Sequence, residues 1–146
     1  MKAIIQRVHH ASVTVEDKVV GIIDRGLLIF VGIHKDDTNE QLTWIAEKIL
    51  KLRIFEDEEG KMNRSAEDEG ADLLVVSQFT LYGNLKKGTR PSYIEAARPE
   101  EAHFMYQNVI EYLRDHSKLK VESGTFGAHM DVQLVNDGPV TIILER

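Results

Sequence analysis

The chain contains no cysteine, which excludes disulfides, thiolate metal sites, iron–sulfur clusters and a cysteine nucleophile together. Three prolines and one tryptophan are spread through 146 residues, and no Pro-, Gly- or Ser-rich stretch reads as a linker. No apolar run nears the ~20 residues that cross a bilayer; the longest, residues 27–33, is strand-sized. The opening Met1-Lys2-Ala3-Ile4-Ile5-Gln6-Arg7 turns polar too early for a secretory leader. Basic charge is short as well: 18 Lys and Arg face 24 Asp and Glu, a net charge of −6. Proteins that live on nucleic-acid phosphate carry a basic surplus, so any RNA contact here must be a small local patch. Together these absences predict a soluble, cytoplasmic protein without a membrane segment, built as one domain over residues 1–146.

What is present reads as strands interrupted by two main helices. Ser12-Val13-Thr14-Val15-Glu16 alternates polar and apolar, as a strand with one wet face should. Asp17-Lys18 is the expected hairpin turn into Val19-Val20-Gly21-Ile22-Ile23, and residues 27–33, apolar on both faces, predict a buried central strand. The period then changes. Thr38 followed by Gln41 matches a capping box, and Leu42, Ile45, Ile49 and Leu52 recur at helical spacing. An acidic turn follows at residues 56–60. Residues 73–79 form a second apolar strand ending in polar groups. A loop with Gly83, Gly88 and Pro91 leads to Pro99 at the first turn of another helix, whose Ala102, Met105, Tyr106, Val109, Ile110 and Leu113 share one face. Two strands close the chain, with Asn136-Asp137-Gly138-Pro139 as the turn between them. No regular βαβ rhythm is visible. The fold class is α+β with a mainly antiparallel sheet.

The chemistry these residues permit is limited. The six histidines, His9, His10, His34, His103, His116 and His129, form no His-x-His pair and no helical i, i+4 set. No metal site is expected, and without a Walker loop or G-x-G-x-x-G there is no visible nucleotide cradle and no expected cofactor. Ser77 and Thr80 lie at the end of a buried strand but outside any G-x-S-x-G elbow. They read either as strand-end hydroxyls satisfying backbone groups or as nucleophiles awaiting a base.

In combination the segments resemble the D-aminoacyl-tRNA deacylases from end to end. The resemblance starts with Ile5-Gln6-Arg7-Val8 and Ala11-Ser12-Val13-Thr14-Val15, and continues through Gly26-Leu27-Leu28, Lys35-Asp36-Asp37, Arg53-Ile54-Phe55 and Gly60-Lys61-Met62-Asn63. Its diagnostic pieces are Ser77-Gln78-Phe79-Thr80-Leu81, Gly88-Thr89-Arg90-Pro91-Ser92 and Val135-Asn136-Asp137-Gly138-Pro139-Val140-Thr141.

The resemblance implies a homodimer of a barrel-like α+β fold that hydrolyses the ester joining a D-amino acid to the terminal ribose of tRNA. It implies catalytic roles for Ser77, Gln78, Phe79 and Thr80, around the terminal adenosine and the scissile carbonyl. It implies substrate contacts for Arg7, Arg90, Met130 and Asn136. Gly138-Pro139 matches the family's Gly-cis-Pro pair, which enters the other subunit's pocket and rejects L-aminoacyl esters. An aminoacyl ester is already activated, so backbone N–H groups at Phe79 and Thr80 acting on the oxyanion would suffice, with water as nucleophile. A wall that clashes with an L side chain has nothing to reject in glycine, so glycyl-tRNA is expected to be cleaved too. Two alternatives stand beside this reading: a non-catalytic module that binds RNA ends, and an esterase using Thr80 as covalent nucleophile. Lys86, Lys87 and Arg90 supply a basic loop after the reactive strand.

Overall fold

The alternation at residues 12–16 belongs to a longer strand, β1 (Lys2–Val15), in a computed structural model that describes residues 1–146. Its inward side chains change phase midway. Ala3 and Ile5 enter one core, whereas Val8, Ala11 and Val13 enter another. The pairing register shifts at the same place, between Gln6 and His10, as expected where a strand bends through bulges.

Along one edge β1 pairs antiparallel first with β3 (Gly26–Gly32) and then with β2 (Lys18–Ile23). Along the other edge it pairs with β8 (Asp131–Glu145) over almost its whole length. The β1–β2 reversal falls on Glu16 and Asp17, at φ 47° and 61°, one residue ahead of the expected Asp17-Lys18. Two left-handed residues match the twist of the flanking strands.

β3 lies between β1 and β6 (Asp72–Ser77), with both faces covered as its composition predicts. β3, β6 and β7 (Val121–Ser123) run parallel, so the sheet is mixed and contains two crossovers the sequence rhythm did not display. The first carries α1 (Asn39–Lys51), a small hairpin of β4 (Phe55–Glu56) and β5 (Met62–Arg64), and the short α2 (Ala66–Glu69). The second carries α3 (Pro99–Asp115). α1 starts where expected: Thr38 Oγ1 accepts from the Glu40 N–H, and Gln41 Oε1 accepts from the Thr38 N–H at 2.9 Å. The acidic turn is built by Asp57, whose carboxylate accepts the N–H groups of Lys61 and Glu59. Those bonds, the one from Lys61 foremost, hold its carboxyl below the usual range.

Neighbouring residues of β3 and β6 serve opposite sides of the sheet. Leu27, Ile29, Leu73 and Val75 pack with α1 and α3 in the larger core, while Leu28, Leu74 and Val76 join the smaller one inside the curl. β2 closes over that smaller core, and the approach is tight: a Cβ on Gly21 would sit 2.8 Å from the Ser123 carbonyl oxygen. The result is an α+β fold whose sheet nearly closes into a barrel, with three helices.

The tail departs from expectation. Residues 136–139 do not reverse the chain; β8 continues in one direction, and both its halves pair with β1. Between the pairs Val8–Asn136 and Gln6–Thr141, two steps along β1 are matched by five along β8, so the intervening residues loop out. A Gly-Pro pair is compatible with a bulge or a turn, and only the partner strand decides which.

Candidate functional site

Two parallel strands end side by side at Val31 and Ser77. The carboxyl ends of parallel strands are where open sheets place ligands. The Gln78 N–H extends the ladder one step, donating to the Val31 carbonyl at 2.8 Å, and residues 79–82 then tighten into a 3₁₀ turn. As at any helix start, the first N–H groups of this turn, those of Phe79 and Thr80, have no acceptor within it.

Phe79, at the start of this turn, borders a cleft of about 530 Å³, and Thr80 follows it just outside the lining; the size suits a small ligand or one end of a larger one. Ser77, Gln78 and Phe79 form one side; Pro99 and Ala102 from the start of α3 form another; Phe126 and Met130 face them. α3 is tied to the strand end by Tyr106, whose hydroxyl donates to the Val75 carbonyl at 2.8 Å. Burial pushes that phenol's pKa far up, so it remains a donor. Phe126 stacks on His103, ring centroids 4.7 Å apart, and Phe79 meets Tyr93 edge-on at 5.1 Å. The walls are therefore largely apolar, and on the strand-end side the polar groups are those of Ser77 and Gln78.

Neither Ser77 nor Thr80 has a base on its hydroxyl. The Gln78 side-chain amide donates to Thr80 Oγ1. A donor of that kind fixes the hydroxyl without drawing its proton away. His129 lines the cleft's mouth with its side chain 97% exposed, 4.0 Å from the Asp131 carboxylate.

A second cluster lies away from the cleft. Arg7, 4% exposed, donates from Nη1 to the Ile54 carbonyl at 2.6 Å. Its Nε and Nη2 lie 3.0 Å and 3.4 Å from the two carboxylate oxygens of Asp137, and Glu56 is 3.8 Å away. Asn136 spans the bulge: its Oδ1 accepts the Val140 N–H, and its amide donates to Thr141 Oγ1. The Gly138–Pro139 peptide is cis, and both residues are exposed. Gly138 has φ 126°, and a Cβ there would lie 2.7 Å from Val140 Cγ2, so only glycine fits without strain.

The structure thus brings Ser77, Gln78, Phe79 and Met130 to one cleft, with Thr80 on its turn and Arg90 in the adjoining loop. Arg7, Asn136, Gly138 and Pro139 gather elsewhere. Arg7 stands opposite Leu27 in the ladder whose far end pairs Lys2 with Gly32; five residues at ~3.4 Å put it roughly 17 Å from the cleft end of β3. Sequence reasoning missed Phe126 and Tyr93. The aromatic of Gly124-Thr125-Phe126-Gly127, flanked by glycines, was the available signal for the former.

The chain matches the model of the family described as D-Tyr-tRNA(Tyr) deacylase over residues 4–145. It is 57% identical to a protein named D-aminoacyl-tRNA deacylase in Chloroherpeton thalassium, over 99% of this chain and 95% of that one. It is equally similar to one of that name in Thermotoga petrophila, over 99% and 97%. Among solved structures, one described as c-Myc DNA Unwinding Element Binding Protein superposes with a TM-score of 0.95 at 43% identity, covering 100% of this chain and 99% of that one. A second, described as a probable eukaryotic D-amino acid tRNA deacylase, shares the fold with a TM-score of 0.84 at 20% identity, over 98% and 97%.

Proposed function

Since the chain belongs to the D-Tyr-tRNA(Tyr) deacylase family and is a hydrolase of D-aminoacyl-tRNA esters, we propose that residues 77–80 form its catalytic turn. The aminoacyl ester enters the cleft with its carbonyl over that turn. Water adds to the carbonyl carbon, and the N–H groups of Phe79 and Thr80 bind the oxyanion, each such donor being worth about 2.7–4 kcal/mol in hydrolases. Collapse expels the ribose 3′ oxygen, which takes a proton as the free D-amino acid and tRNA separate. The ribose 2′-OH orients the water. Ser77 and Gln78 hold the ribose end, and Met130 lies beneath the aminoacyl group. The observation that carries this reading is a turn with N–H groups free at its start, beside hydroxyls that no base touches.

Selection for the D isomer falls to Gly138 and Pro139 of a second copy of the chain in a homodimer. Two features support that arrangement. The bulge is exposed, and it lies too far along the sheet to serve its own cleft. Arg7 and Asn136 position it, and Arg90 contacts the RNA. A wall of main chain excludes an L side chain without reading which D side chain is present, so glycyl-tRNA is also cleaved. One domain over residues 1–146 carries all of this, in the cytoplasm where tRNA is charged.

Deacylation of D-tyrosyl-, L-tyrosyl- and glycyl-tRNA by the purified protein tests the reading. The D and glycyl esters should be cleaved and the L ester spared. Thr80→Ala should retain at least a tenth of the rate, with no acyl-protein trapped by acid quench and mass spectrometry. A trapped acyl-Thr80, or undetectable turnover of glycyl-tRNA at enzyme levels that clear D-tyrosyl-tRNA, would contradict it.

A further inference from the structure

The chain's negative charge is unevenly distributed. From Leu73 to Ile94 there is no Asp or Glu, and Lys86, Lys87 and Arg90 fall inside that stretch. The rest of the chain carries 15 basic against 24 acidic side chains. Elsewhere Lys2, Arg7, Arg25, Lys51, Lys61, Arg64, Lys120 and Arg146 have carboxylates within ion-pair distance, and the other basic residues without one are spread among the acidic segments of the chain. Lys86, Lys87 and Arg90 have none, and all three are exposed.

The loop that carries them is held in place. Asn84 and Ser92 exchange backbone hydrogen bonds of 2.8 Å and 3.0 Å across its neck. Asn84 Oδ1 accepts the Lys86 N–H at 2.9 Å, and Gly88 turns the tip at φ 89°. Beside the neck, Tyr93 packs edge-on against Phe79, and both border the cleft. A rigid stem therefore sets three unneutralised cations beside the mouth that receives the ester.

Resting on the hydrolase reading above, we infer that this loop binds the phosphodiester backbone of the single-stranded RNA just upstream of the aminoacylated nucleotide. It meets charge rather than bases, so it holds different tRNAs alike. In an acidic protein, this loop provides the local attraction that a polyanion needs to approach the cleft. An acidic peptide would meet the same charges, but only the RNA end is covalently joined to what the cleft holds.

The test compares wild-type protein with Lys86→Ala/Lys87→Ala on two substrates, D-tyrosyl-tRNA and the D-tyrosyl ester of adenosine, which has no phosphate. On the tRNA, KM should rise roughly three- to tenfold near 100 mM salt with kcat within twofold. The log–log slope of kcat/KM against salt should flatten by about 1.4, or ~0.7 for each single-strand phosphate that the variant no longer neutralises. Hydrolysis of the adenosine ester should be the same for both proteins, and Lys86→Arg/Lys87→Arg should restore the tRNA KM. An unchanged KM and salt slope on tRNA overturns the inference while the adenosine ester is still cleaved. An equal loss on both substrates overturns it too, because the loop would then only be supporting the cleft. If wild-type protein cleaves neither ester, the hydrolase reading itself fails, and the loop's assigned role fails with it.

Discussion

Replacing Arg7 by methionine removes the charge while keeping much of the volume, and so measures what holds the bulge of β8. The guanidinium is 4% exposed, donates to the Ile54 carbonyl at 2.6 Å and lies against both oxygens of Asp137. Breaking one side of a buried pair costs ~3–5 kcal/mol, because the partner stays buried without its counter-charge. Asp137 is 19% exposed and recovers some hydration, which puts Arg7→Met at about 3 kcal/mol. For a chain of this size that lowers Tm by roughly 10 °C. A double-mutant cycle with Asp137→Asn isolates the pair, with an expected coupling of about 1.5 kcal/mol. The readout is thermal unfolding by circular dichroism at one fixed protein concentration, since association shifts Tm by mass action. The same variants should lose at least tenfold in the D-to-L rate ratio while still cleaving the D ester, because the turn at residues 77–80 is at the other end of the ladder. A coupling below about 0.5 kcal/mol, near the limit of simple additivity, would refute the idea that Arg7 holds the bulge. An intact D-to-L ratio alongside a full coupling would refute the link from bulge to selectivity.

Gly138→Ala forces a Cβ to 2.7 Å from Val140 Cγ2 at φ 126°; it should cost about 1–3 kcal/mol and reduce D-over-L discrimination, read from paired deacylation rates. Gly124→Ala puts a Cβ 2.6 Å from Met130 Sδ, the end of a flexible side chain. Met130 should swing into the cleft, raising KM severalfold while the unfolding midpoint in urea changes little. Asp68 is held below the usual carboxyl range first by the Ser65 N–H and then by the Ser65 hydroxyl. It therefore stabilises the fold at pH values above its unfolded pKa, and that contribution disappears as pH falls through the lower folded value. Asp68→Asn should be less stable than wild type near pH 7, with the difference shrinking toward about pH 2 in urea titrations.

Local signals were legible where neighbours in sequence decide the outcome. The Thr38 capping box, the Pro99 start of α3 and the two-sided apolar run of β3 all depend on residues within a few positions of one another. Partner choice was not legible. Nothing within residues 131–145 reveals that they form one strand against β1, because a loop-out of residues 137–140 and a hairpin would use the same Asn, Gly and Pro. The parallel pairing of β3 with β6 depends likewise on where the crossover helices pack. At the site, residues 77–80 stood out by their hydroxyls and their place at a strand end. Phe126 and Tyr93 reach the cleft through tertiary packing alone, and Arg7, marked by the resemblance as a substrate contact, meets Asp137 only through the pairing of β1 with β8.

β3 and β6 deliver alternate side chains to two separate interiors. Sliding β3 by one position would send Leu28 toward the helices and Leu27 into the curl, and sliding β6 would do the same to Leu74 and Leu73. Two independent fillings thus index the same pair of strands, and both of them fix the spot where the two strands end.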